Sequence, residues 1–228
     1  MSLIYLPLKM HLPFNLKNIL LTTLSVCIVL IIPHLELIPL PFGYVIPMLL
    51  FIWLYLKFNK ERFSSLGFNF KAFSLKSFLI GTLTGVLIFS FLYFIFFPLL
   101  QYIVELPDSK VNLYDKLKGN TGLYVFLLIM GWLVGGVYEE IVFHGFIFTS
   151  IEKLLPQRTA LPISFLITNI LFGLYHFQLG YEGVINAFLA GMGYHLVILM
   201  NKRNLWYGII CHAIFDTIAL TLLYLGYT

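Results

Sequence analysis

Seven apolar runs, at residues 18 to 33, 40 to 56, 77 to 104, 121 to 151, 160 to 178, 183 to 200 and 204 to 226, take up most of the chain and dictate its solvent. A bilayer's hydrocarbon core is spanned by about 20 helical residues. No water is present there to satisfy backbone N–H and C=O groups, so each run must close its hydrogen bonds internally as a helix. The fold class expected is therefore all-α, a polytopic membrane helix bundle with about seven transmembrane helices. Hydrophobic residues make up 60% of the chain and charged residues 11%, against roughly a quarter charged in a soluble domain. A secreted disulfide scaffold, a disordered chain and a nucleic-acid-binding module are excluded. With 228 residues, residues 1–228 form a single membrane domain and leave no room for a second soluble one. Cys27 and Cys211 each lie inside an apolar run, with no spacing that suggests a disulfide or zinc framework.

The cations report sidedness. Lys9 and Lys17 precede the first run; Lys57, Lys60, Arg62, Lys71 and Lys76 follow the second; Lys153 and Arg158 follow the fourth; Lys202 and Arg203 follow the sixth. That places eleven on one side against three on the other, Lys110, Lys116 and Lys118, so the N-terminus is expected inside and the C-terminus outside. No small-residue cleavage site follows the first run before Pro33 and His34, which reads as a retained first span.

The third and fourth runs exceed the length needed to span, so they must tilt, break or protrude. Pro98 is the expected breaker. The basic stretch 57 to 76, with Phe63, Leu66, Phe68, Phe70 and Phe73, suits either a segment lying on the inner membrane face or an ordinary basic loop. Glycines four apart, Gly81 with Gly85 and Gly131 with Gly135, permit close helix approach. No internal repeat suggests the inverted halves of many transporters.

Six ionisable side chains fall inside the spans: Glu139, Glu140, His144, His176, His212 and Asp216. Each is costly in lipid, about 2.5 to 3.5 kcal/mol for a charge at mid-helix on insertion scales, so together they mark function. Glu140 and His144 share a helical face, while Glu139 points about 100° away, so the adjacent carboxylates can take different tasks. His212 and Asp216 repeat the four-residue interval, as do Phe172 and His176. At about 1.5 Å per residue, Glu139 lies about 21 Å from Lys153, His212 about 13 Å from Arg203, and His176 about 27 Å from Arg158, or about 21 Å if that helix starts near Pro162. Convergence of the three helices on one site is the expectation.

The sequences Glu139-Glu140-Ile141-Val142-Phe143-His144, Phe172-Gly173-Leu174-Tyr175-His176 and His212-Ala213-Ile214-Phe215-Asp216 resemble, in order, the EExxxR, FxxxH and HxxxN/D motifs of the type II CAAX prenyl endopeptidases. The bacterial branch of that family is the CAAX protease and bacteriocin-processing (CPBP, Abi) family. The resemblance covers about residues 120 to 220. It implies an intramembrane endopeptidase in which Glu139 and His176 activate a water, His212 and Asp216 support the oxyanion, Glu140 belongs to the same catalytic set, and His144 and Phe172 support the site structurally. It implies a membrane-associated protein or peptide as substrate; prenylated substrates belong to the eukaryotic and archaeal-like branch. Two positions depart from the pattern: His144 replaces the arginine, exchanging a permanent cation for one that titrates, and Asp216 stands where asparagine is frequent. An ionised aspartate cannot donate to an oxyanion, so Asp216 would then orient His212 or hold a metal.

A buried carboxylate can serve as the base that hydrolysis requires. The metal, if any, is unknown: Glu139, His176 and His212 would be a His₂Glu zinc set, but HExxH is absent, and a metal-free mechanism is favoured. A proton-coupled transporter, because Glu/His relays serve that chemistry too, and an inactive scaffold retaining the fold stay open as alternatives. His11 and His34 read as juxtamembrane, His195 as near the inner interface seven residues before Lys202, Asn169 and Asn186 as inter-helix hydrogen-bonding residues, and the tyrosines and tryptophans as packing and interface anchors. An integral, multi-pass location in a bacterial cell membrane is expected from the short chain and from eleven Lys against three Arg.

Overall fold

The computed structural model describes residues 16–35, 37–105 and 116–227; Lys9, His11 and Lys110, used above, lie outside them. Seven helices carry the apolar runs: α1 Leu16–Ile31, α2 Val45–Phe58, α3 Leu75–Ile103, α4 Thr121–Leu154, α5 Gln157–Tyr175, α6 Gly180–Met200 and α7 Trp206–Leu225. All except α2 belong to stretches long and apolar enough to cross a membrane, α1 together with the 3₁₀ turn that follows it. At 14 residues, α2 is shorter. Leucine, isoleucine and phenylalanine are exposed all along the outer faces, including Leu20, Leu50, Leu83, Phe94, Leu133 and Leu166, as lipid-facing positions should be.

Pro98 does not break α3. The helix widens to i→i+5 hydrogen bonding over Leu92–Phe96 and resumes as an α-helix at Phe97. Proline then falls in the first turn of the resumed segment, where its missing N–H costs little. The start of α5 also differs from expectation: it begins at Gln157, leaving Pro162 inside the helix.

The glycine pairs do what their spacing suggests. Cβ atoms added at Gly81 and Gly85 would lie 2.7 Å from Ile210 Cβ and 2.5 Å from the Cys211 carbonyl oxygen, so α3 and α7 approach at backbone distance. The 57 to 76 stretch is built onto the start of α7. Leu205 N–H donates to Gly67 O (3.1 Å), Trp206 Nε1 to Asn69 O (2.9 Å) and Asn204 Nδ2 to Ala72 O (2.9 Å). The rings of Phe68, Phe70 and Phe73 surround Trp206. Gly67, at φ +90°, sits against the Arg203 carbonyl, where both conformation and space exclude a side chain.

Ion pairs join the basic connections at one end of the bundle. Lys153 meets Glu61 at 2.5 Å and Arg203 grips Glu152 through both guanidinium nitrogens at 2.6 and 2.7 Å. The three loops that the charge count assigns to the inner side are thus gathered together.

Candidate active site

The site is built on the widened part of α4. From Gly131 to Ile147 this helix hydrogen-bonds i→i+5, so its side chains fan out at a different angular step from the α-helical one. Every residue from Tyr138 to Phe148 is buried, giving an apolar wall into which Glu139, Glu140 and His144 are set.

The adjacent glutamates are divided between two partners. Glu140 has no exposed surface; its Oε2 accepts from His144 Nδ1 at 2.7 Å and its Oε1 from His212 Nδ1 at 3.0 Å. One carboxylate thereby links α4 to α7 and occupies both its oxygens. Glu139 turns instead to His176, whose Nε2 lies 3.6 Å from its Oε2. His176 caps α5, and its Nδ1 donates to the Phe172 carbonyl at 2.8 Å, which leaves Nε2 as the nitrogen turned toward Glu139. Glu139 and His176 retain 10% and 15% side-chain exposure, where the Glu140–His144 pair has none.

Asp216 lies beside the remaining nitrogen of His212, with Oδ2 3.7 Å from Nε2, and its side chain is 28% exposed. That spacing is too long for a hydrogen bond. Asp216 is thus in ion-pair contact with Nε2 without a hydrogen bond, while Glu140 fixes the ring through Nδ1 and Tyr194 stacks on its face with centroids 4.5 Å apart. A Cβ at Gly135 would run into Asp216 Oδ2 and lie 3.4 Å from His212 Nε2, so this glycine opens the space those groups occupy.

Phe172 is the common wall. Its ring lies edge to face with those of His176 at 4.8 Å and His212 at 5.8 Å, and tilted against His144 at 5.5 Å. Gly191 of α6 makes room for it, since a Cβ there would meet Phe172 Cδ1 at 2.5 Å. All seven residues singled out in the three motifs are thus brought together.

Two histidines take places the sequence reading did not assign them, and Asn169 joins helices as its reading expected. His195 faces the bundle interior: it is fully buried, with Nδ1 3.1 Å from Asn169 Nδ2 and its ring 4.7 Å from that of His144. Asn169 touches both histidines, its Oδ1 lying 3.3 Å from His144 Nε2. The signal was present, because Asn169, Phe172 and His176 follow the i, i+3, i+7 spacing of one face. His34 packs against Tyr175 at 4.6 Å and Phe177 at 5.2 Å, on either side of His176 in sequence.

Among the described residues, no group of three or more His, Cys, Asp or Glu side chains is placed to hold a metal ion. The set of Glu139, His176 and His212 named from the sequence is not among such groups.

Residues 121–218 match the family model described as type II CAAX prenyl endopeptidase Rce1-like. No curated protein and no solved structure matches the chain.

Proposed function

We propose, on the premise that residues 121–218 belong to the Rce1-like type II CAAX prenyl endopeptidase family, that the chain is an intramembrane endopeptidase cleaving a membrane-associated protein or peptide in a bacterial cell membrane. The observation that carries this reading is the division between neighbouring carboxylates: Glu140 sealed between two histidines, Glu139 paired at 3.6 Å with His176 on the accessible side.

In this reading His176 is neutral, so its Nε2 and Glu139 are two acceptors 3.6 Å apart, a spacing that suits a water touching both rather than a direct bond. Glu139 takes a proton from that water as it attacks the scissile carbonyl. His176 holds the water through its unprotonated Nε2 and relays the proton toward the leaving amine. His212 Nε2, free of a hydrogen-bonded partner, donates to the developing oxyanion. Asp216 stays beside that nitrogen, a carboxylate that stabilises the protonated ring. Glu140 and His144 act from behind, holding His212 in register. No step passes through a metal.

The test is a comparison of membrane proteomes from cells carrying the wild type and Glu139→Gln. An N-terminus generated only by the wild type identifies a substrate. Absence of any such terminus, with Glu139-dependent proton flux in liposomes, would make the chain a transporter instead.

A further inference from the structure

His144 stands where the motif has arginine, and its neighbours define how an imidazole fills that place. The orientation of the Asn169 amide is fixed by α5 itself: its nitrogen lies 2.7 Å from the Phe165 carbonyl oxygen, a contact that only the NH₂ end can make. The amide oxygen is therefore the atom turned toward His144 Nε2 at 3.3 Å. On the opposite edge of the ring, Glu140 Oε2 lies 2.7 Å from Nδ1. An amide oxygen accepts only, and so does an ionised carboxylate. A ring nitrogen within hydrogen-bond distance of an acceptor has to carry the proton, and here both are.

We infer that Asn169 is a positioning residue that holds His144 as a doubly protonated, two-ended donor, giving this chain a cation in the arginine's place. The same amide settles the polarity of the next link. Its second N–H donates to His195 Nδ1 at 3.1 Å, so that nitrogen is the acceptor and the His195 proton resides on Nε2, which is buried without a hydrogen-bond partner. His195 is thus neutral beside a charged His144, as the 4.7 Å separation of their rings requires, since two unshielded cations at that distance in an apolar interior would repel strongly. The charged and titratable groups around His144 are Glu140 on its own helix, His195 from α6, His212 of α7 through Glu140, and Arg203. Arg203 shares a cavity of about 20 Å³ with His144, Ser65 and Thr149, and its charge is answered by Glu152. Among the described residues Glu140 is the one anion in contact with His144, and it is shared with His212.

Nitrogen-15 spectroscopy of histidine-labelled protein in lipid nanodiscs tests this directly, with His144 assigned by its loss in His144→Gln. At neutral pH both ring nitrogens of His144 should resonate in the protonated range, and one nitrogen of His195 should not. In Asn169→Leu, His144 Nε2 should move to the unprotonated range while His212 stays unchanged. An unprotonated His144 nitrogen in the wild type overturns the inference, as does an Asn169→Leu spectrum identical to the wild type. The wild-type measurement decides even where the variant does not fold. A second arm, which alone rests on the proteolytic reading, compares pH profiles. Asn169→Leu should cost about tenfold or more in cleavage at alkaline pH in the His144 background, from loss of a hydrogen bond to a charged group. In a His144→Arg background it should cost much less, because guanidinium needs no partner to stay charged. Equal losses in both backgrounds would reduce Asn169 to helix packing.

Discussion

Glu140 and His144 meet at 2.7 Å with both side chains wholly excluded from the surface, one turn apart on the same helix. Removing one member of such a pair leaves the other charge uncompensated in an apolar interior, which typically costs about 3 to 5 kcal/mol. His144→Leu should therefore abolish cleavage or prevent accumulation of folded protein, read by size-exclusion profile and peptide assay together. His144→Arg should keep activity and sustain it to higher pH, because an imidazole surrenders its charge as pH rises and a guanidinium does not. An active leucine variant would mean that Glu140 is ordered by His212 alone.

Glu139→Gln preserves shape and removes the ability to accept a proton. Cleavage should fall by about 10² to 10⁴-fold with the melting temperature in detergent held close to that of the wild type. His176→Ala should be comparably damaging, and the double variant little worse than either, as expected of groups acting as a unit. Losses that multiply would assign the two residues independent roles.

Gly208 offers a test from the far side of Glu140. A Cβ there would lie 2.6 Å from Glu140 Oε2 and 2.8 Å from Ile198 Cγ1, so Gly208→Ala must push the carboxylate or the α6 side chain aside. Overpacking of this kind costs about 1 to 3 kcal/mol. Thermal unfolding should report that loss, and cleavage should drop further than stability alone accounts for, because Oε2 is the oxygen that holds His144.

Chelation separates the two readings of Glu139, His176 and His212. Cleavage by purified protein should survive prolonged dialysis against a strong chelator. Activity lost on dialysis and restored by zinc would make those three side chains a ligand set that rearranges on binding.

Sidedness can be read by thiol labelling in intact cells. Leu66 is buried and unsuitable as a probe, whereas Phe70 and Tyr181 are exposed at 76% and 66%. In a Cys27→Ser background, an impermeant reagent should label Tyr181→Cys and spare Phe70→Cys. The reverse pattern would invert the topology drawn from the lysines.

The seven helices were legible because lipid enforces one rule along the whole chain: apolar length means helix. The three motifs were legible because ionisable residues in such runs have few structural excuses. What the sequence concealed is radial. His195, counted seven residues from Lys202, looks interfacial along the helix axis, yet its face of α6 is turned inward against Asn169 and His144, and no count along one helix reveals which neighbours lie beside it. The widening of α4 was equally hidden, since Gly131–Ile147 has no helical periodicity whose shift could have marked it. Pro98 misled for a related reason: a proline breaks a helix only where the preceding turn cannot widen to accommodate it, and at Leu92–Phe96 it does.

The sealing of Glu140 behind Glu139 decides what a small-molecule inhibitor could grip. Of the site's carboxylates only Glu139 and Asp216 present surface to a visitor, together with His176. A ligand that reaches these two carboxylates gains from a cationic or hydrogen-bond-donating head, since an ionised carboxylate only accepts.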